Sequence, residues 1–311
     1  MDEENKKMTV KENILNHSKL AEEAVEMKSL EIKNHNSVLY FEDNVIQKII
    51  LDGCTSIDSM IKNSNVKNVL IKKSDFTKFS FLNNKSKGFV ISNSNLAGSR
   101  IVNSEIDNLI LLDVNFTKSK ISETELYSPR IQNTSFKSSI FDKMKFIDAF
   151  VEDTNFIGSI LNNIIISDSE MLNIVLSNSS FMNSKIDHSK FYGSNFSYTD
   201  FSGTTLNKVV FFNCNFLRAN LESTSIDNSV FHFCQGNGKE IKSFQIDNQH
   251  ITYTDKYLYI NNETYEVDMF VNNKYDQSKI ENIRNIEFIK DILIRNPAKE
   301  QNRENTSELK I

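Results

Sequence analysis

The groups able to do chemistry in this chain are few and scattered. Its cysteines are Cys54, Cys214 and Cys234, and its histidines are His17, His35, His188, His232 and His250. A zinc site needs thiolates or imidazoles at Cys-x2-Cys or similar spacing, and no such cluster occurs. A nucleophilic Ser or Cys would stand in a sharp-turn context, and a phosphate cradle would need a glycine-rich loop; the eight glycines build neither. We expect no catalytic residue, no metal and no cofactor. What remains is the chemistry of binding. The residues that suggest it are apolar side chains in polar settings: Ile110, Leu112, Phe150, Leu172, Tyr192, Val210, Phe212 and Val230. Why they are out of place depends on the element that carries them.

That element has a period of five. Stepping by five from Ile61 to Phe231 meets an apolar residue at 34 of 35 positions, and Ser86 is the exception. Neither a helix nor an ordinary strand has this period. A fixed period held over so many units means a stacked architecture whose units bury a shared core. Two residues before each of these centres, from Phe89 to Ser229, 21 of 29 residues are Ser, Thr, Ala or Cys. The residue just before the centre is often Asn or Asp, as in Asn95, Asn115, Asn155, Asn195 and Asp200.

Units such as Gly193-Ser194-Asn195-Phe196-Ser197 and Arg218-Ala219-Asn220-Leu221-Glu222 make residues 61–235 similar to the pentapeptide-repeat family. The resemblance implies an all-β solenoid, a right-handed quadrilateral β-helix with four pentads per coil, so that residues 20 apart stack. On that frame the 35 pentads make nearly nine coils. At the inter-strand spacing of ~4.8 Å the rod is about 40 Å long. Its interior ladders are expected to be Phe116–Phe136–Phe156–Leu176–Phe196–Phe216 and Leu111–Ile131–Val151–Met171–Phe191–Phe211–Phe231. Cys214 and Cys234 stack on adjacent coils as buried small residues, close enough to pair under oxidation.

Residues flanking each centre point outward, so each of the four sides can be read separately. On the side of Leu111, Val151, Phe191 and Phe211, the outward positions hold the eight apolar residues named above, together with Val90. A contiguous apolar stripe marks a contact. Three occupants stay open: the chain's own terminal segments, a second copy in a homodimer, or a foreign protein anchored on Phe150, Tyr192 and Phe212. The side of Phe116 and Phe136 carries Asn95, Asn115, Asn155, Asn195 and Asn215, a polar ladder that shields rather than binds.

The flanks read differently. Residues 1–40 are expected to form an amphipathic helical segment, since Ile14, Leu15, Leu20, Ala21, Ala24, Val25 and Leu30 fall at broadly helical spacing. The β-helix is assigned to 41–251, with Phe41, Ile46 and Leu51 already in frame and Ile241, Ile246 and Ile251 returning to it. A hairpin over Thr252–Val267, turning at Asn261-Asn262-Glu263-Thr264, and a helix over Ser278–Arg295 make a C-terminal cap at 252–295. Residues 296–311 read as a disordered tail.

Composition suits a soluble scaffold: 39% hydrophobic, 25% charged and a net charge of −5. There is no apolar run of membrane-spanning length and no basic-then-apolar leader at Met1–Val10. The location expected is the bacterial cytoplasm, or a host cell after secretion without a cleavable signal peptide. The family resemblance implies two functions. One is a non-catalytic protein-interaction scaffold, including bacterial secreted effectors associated with virulence. The other is a gyrase-protecting DNA mimic, which needs an acidic face. Residues 61–235 hold 16 Asp and Glu against 18 Lys and Arg. Glu105, Asp107, Glu125, Asp187 and Asp227 share a side, but Lys145 and Lys185 interrupt it. Without a basic stripe, no nucleic-acid partner is expected either.

Overall fold

A computed structural model of the chain describes residues 25–27, 29–36, 38–221, 223–232, 234–236, 239–246, 249–253, 257–260, 263–267, 272, 286 and 289. The chain winds as a parallel β-solenoid. Two of its sides are eleven-stranded parallel sheets and a third is a seven-stranded parallel sheet. The fourth is mostly a line of single bridges, Thr55 to Asp75 to Asn95 and Asn115 on to Gln235, with Asn95 and Asn115 joined where the strands Phe89–Asn95 and Leu109–Asn115 run on from the third side. We number the sides in chain order by their centres: the first contains Ile61, the second Val66, the third Ile71 and the fourth Phe76. The first and third are therefore opposite one another. Neighbouring coils are 20 residues apart, as in Ile101 against Ile121 and Leu111 against Ile131.

From Ile61 to Ile226 each pentad except those of Asn68 and Gly88 turns a corner where the residue two after the centre has positive φ. Examples are Asn63 (51°), Asn83 (57°), Asn133 (48°) and Gly193 (57°). Asn and Asp tolerate this left-handed conformation better than other side chains do, and Gly accepts it without a Cβ clash. Between the fourth and first sides the corner is a type II turn: Phe79 N donates to Phe76 O at 3.1 Å, with Lys78 at φ 59°.

Inside, the centres form ladders of stacked rings. Phe116 and Phe136 lie 5.4 Å apart, Phe136 and Phe156 5.2 Å, and Phe211 and Phe231 4.7 Å between ring centroids. The small residues complete the interior by bonding between coils. Ser119 N donates to Ser139 Oγ at 3.1 Å, and that Oγ donates to Phe116 O at 2.9 Å. A hydroxyl at this position thus satisfies backbone groups that an apolar side chain would leave unpaired. Where the frame fails at Ser86, the large ring of Phe89 occupies the position normally held by a small residue and packs on Phe81 at 4.9 Å.

The solenoid begins earlier than the helical reading of 1–40 allows. Val25–Met27 and Leu30–Lys33 are strands, pairing with Asn44–Ile46 and Ile49–Asp52 at an offset of 19 residues. One residue is missing between His35, which is equivalent to Cys54, and Leu39, which is equivalent to Ser59. That deletion moves the first coil's centres to Met27 and Ile32, one place off the five-residue frame. Leu30 and Ile32 are buried while Glu31 and Lys33 face out, an alternation that strand pairing selects over the helical pattern. The rest of the expected helix, residues 1–24, lies outside the described residues.

At the other end, Ile241, Ile246 and Ile251 do not continue the coil. They belong to antiparallel strands in the series Cys234–Gly236, Lys239–Ile246, Gln249–Tyr253, Tyr257–Ile260 and Glu263–Glu266. Lys239–Ile246 runs eight residues without a corner, which a five-residue coil cannot accommodate. The hairpin pairs Ile260 with Glu263. Tyr259 is buried in the solenoid's own core, and its hydroxyl donates to Leu221 O at 3.1 Å, closing the last coil. In the expected C-terminal helix, Ile286 and Ile289 are described; both are helical, and Ile289 is fully buried. The 296–311 tail lies outside the described residues.

Candidate functional site

The apolar side is the third, an eleven-stranded sheet whose outward residues form two columns. Before the centres, the register runs Ile50, Leu70, Val90, Ile110, Arg130, Phe150, Glu170, Lys190, Val210 and Val230. After the centres it runs Leu112, Gln132, Glu152, Leu172, Tyr192, Phe212 and His232. All eight sequence-predicted residues stand on this face. Leu112, Phe150 and Phe212 are exposed at 37%, 36% and 41%, and the other five are half-buried.

The columns correct one expectation: the stripe is not contiguous. A polar belt of Arg130, Gln132, Glu152, Glu170 and Lys190 crosses it. Lys190 Nζ lies 2.8 Å from Glu170, and this hydrogen bond and charge hold the Lys190 ammonium above its ordinary range. Gln132 donates to Glu152 at 3.1 Å. Phe150 stands alone within this belt, with Arg130 and Glu170 as its column neighbours.

Two apolar patches remain. The N-terminal one is Ile50, Leu70, Val90, Ile110 and Leu112. Ile50 and Leu70 were missed by reading the sequence, although stepping back by 20 from Val90 leads to both. The C-terminal patch is Leu172, Tyr192, Phe212, Val210 and Val230, with the Tyr192 and Phe212 rings 6.3 Å apart and tilted by 50°. A flat sheet face carrying two adjacent aromatic rings is suited to burying a partner's apolar side chains.

The other predicted features sort themselves by geometry. On the fourth side, Asn115 Nδ2 donates to Asn95 Oδ1 at 2.9 Å. The same asparagines accept from the backbone two residues on, as Asn155 does from Ile157 N at 2.9 Å. Their amides are thus committed to holding corners. On the second side, Glu105 pairs with Lys85 at 2.9 Å, Glu125 with Lys145, and Asp187 with Lys185 at 3.6 Å and His188 at 2.8 Å. Those three acids are paired locally, whereas Asp107 and Asp227 accept from the side-chain amides of Asn108 and Asn228 at 2.9 and 2.8 Å. Cys214 and Cys234 are buried free thiols on adjacent coils, hydrogen-bonded to Phe191 O and Phe211 O at 3.5 Å each. The neighbouring Cys234 and burial push the Cys214 thiol far up, so it stays protonated and inert. Among the described residues, no group of three or more His, Cys, Asp or Glu could hold a metal ion. No described helix is long and apolar enough to cross a membrane.

A family model described as "Pentapeptide repeats" matches residues 194–232 in eight copies. No curated protein matches the chain. Several solved structures are similar. A pentapeptide repeat protein from the cyanobacterium Cyanothece 51142 is 19% identical, with 29% of this chain covering 62% of that protein and a TM-score of 0.28. The chain thus spans less than two thirds of that protein's length. HetL, a pentapeptide repeat protein involved in heterocyst differentiation regulation from a Nostoc species, is 12% identical; the match covers 70% of this chain and 94% of HetL, with a TM-score of 0.25. QnrB1, a plasmid-mediated fluoroquinolone resistance protein, is 12% identical over 63% of this chain and 93% of its own, with a TM-score of 0.30. Likenesses this remote carry no functional argument.

Proposed function

The chain carries pentapeptide repeats wound into a four-sided β-helix, and on that premise we propose that it is a non-catalytic protein–protein interaction scaffold working through its third side. The observation that carries this reading is the C-terminal apolar patch. Tyr192 and Phe212 stand side by side in register, flanked by Leu172, Val210 and Val230, on one outward sheet face. Aromatic residues at the centre of a patch with a charged rim are the usual anchors of a protein interface. Lys190 and Glu170 supply that rim here. The three free buried thiols fit a reducing compartment, so the bacterial cytoplasm or the cytosol of a host cell after secretion is part of the proposal. The DNA-mimic alternative is not favoured, because Lys85, Lys145 and Lys185 lie at contact distance from Glu105, Glu125 and Asp187 and interrupt the acidic side.

The test is a pair of variants, Val90→Asp/Ile110→Asp and Tyr192→Asp/Phe212→Asp, in affinity capture and in light scattering. All four positions face outward, so both variants should keep the wild-type thermal transition within a few degrees. The reading expects a bound protein that the Tyr192→Asp/Phe212→Asp variant loses and the other retains. A wild-type dimer that this variant breaks identifies the partner as a second copy. Capture and oligomeric state unchanged in both folded variants refute the proposal.

A further inference from the structure

The first side of the rod, opposite the apolar patches, carries a column that the family pattern does not require. Arg100, Lys120, Ile140 and Ile160 face outward on four successive coils, in direct register. Both cations are exposed, and Ile140 and Ile160 are exposed at 41% and 43%. Lys118, at the adjoining corner, and Lys137, on the next coil of the fourth side, add two exposed cations beside the charged half. None of these four cations forms an ion pair among the described residues. The acids on the adjoining column and corner are engaged elsewhere: Asp142 accepts from Asn163 at 3.0 Å, and Glu123 faces Lys143 at 4.0 Å. Like charges directly opposed in a sheet weaken it, so Arg100 against Lys120 is a local cost that a bound anionic group would relieve.

We infer that this column docks a short protein segment whose acidic residues lie on Arg100 and Lys120 and whose next apolar residues lie on Ile140 and Ile160. The surface matches such a segment better than a long polyanion. The basic half extends over about two coils, roughly 10 Å at the inter-strand spacing. Beyond it the column becomes apolar, and then polar and acidic at Ser180 and Asp200. A nucleic acid would carry its uniform charge past the cations onto Asp200, and the exposed ring of the column, Tyr40, stands three coils before Arg100 with its hydroxyl donating to Glu42. The spacing suits a helix: its side chains recur about every 5.4 Å along one face, against ~4.8 Å between coils. An amphipathic helix with glutamates in its first two turns and leucines on the same face in the next two meets all four residues.

This inference rests on the scaffold reading and gives it a second surface. It is tested with the full chain and a fluorescent 14-residue helical peptide of that design, read by anisotropy. Arg100→Glu/Lys120→Glu and Ile140→Ser/Ile160→Ser are each expected to weaken the peptide at least tenfold. A peptide with lysines in place of the glutamates is expected not to bind. No binding to the wild type, equal binding by all three proteins, or stronger competition by a 20-base-pair DNA duplex than by unlabelled peptide would overturn the inference. So would self-association of the wild type abolished by Arg100→Glu/Lys120→Glu, which would make a second copy the occupant. The Tyr192→Asp/Phe212→Asp variant is expected to bind the peptide as wild type does, so failure of the third-side proposal is distinguishable from failure here.

Discussion

Replacing Phe136 tests the physical account of the rod at its centre. The ring is almost wholly buried, stacked on Phe116 at 5.4 Å and Phe156 at 5.2 Å, and edge-on to Phe141 at 5.3 Å. A buried Phe→Ala change loses transfer free energy and leaves a cavity, together costing about 3–5 kcal/mol. Phe136→Leu retains most of the volume and should cost about 1–1.5 kcal/mol. Because each coil touches only its neighbours, the cost should couple locally. Phe116→Ala combined with Phe136→Ala should depart from additivity by about 0.5–1.5 kcal/mol, the size of a direct aromatic pair. Phe216 is four coils further along, ~19 Å away, and Phe216→Ala should add to Phe136→Ala within about 0.5 kcal/mol. Equilibrium urea unfolding of the single and double variants reads all of these values. A Phe136→Ala cost under about 1 kcal/mol, or coupling to Phe216 as large as to Phe116, would refute the stacked-ladder account.

Three further outcomes follow from the same geometry. Gly193→Ala should cost about 1–2 kcal/mol in the same urea assay, from placing a Cβ at positive φ; that Cβ would also come within 2.6 Å of Asn173 Oδ1, displacing the amide that donates to Asp153 at 3.2 Å. Cys214 and Cys234 should resist a thiol reagent at neutral pH until the chain is unfolded, whereupon all three cysteines should react; rapid labelling of the native protein would contradict their burial. Glu125 is held below the ordinary carboxylate range by hydrogen bonds from Lys145 and Tyr127. Its contribution is therefore full above that range and lost as pH falls through the depressed value. The pair is partly exposed, so Glu125→Gln should cost at most ~1 kcal/mol near neutral pH and nothing in strong acid, measured by urea midpoints across that window.

Much of this molecule is legible in its sequence because a solenoid converts chain position into spatial position. Once the period is five and the coil is 20, residues such as Phe116 and Phe136 must stack, Ser119 and Ser139 must share the interior, and Tyr192 must stand beside Phe212. Core, small-residue frame and apolar side are all consequences of that arithmetic. Tertiary structure decided what depends on neighbours and not on the period. The deletion between His35 and Leu39 shifts the first coil off frame, and only strand pairing shows that Val25–Met27 and Leu30–Lys33 belong to it. Ile241 and Ile246 keep the spacing but lose the corners, so antiparallel pairing takes them into the cap. The outward columns belong to the same class. Counting apolar residues per side made the third side a stripe, whereas register places Arg130, Glu170 and Lys190 across it and aligns Arg100, Lys120, Ile140 and Ile160 on the opposite side. Burial is set by each residue's own place in the repeat, but a binding surface is set by what stands one coil above and one coil below.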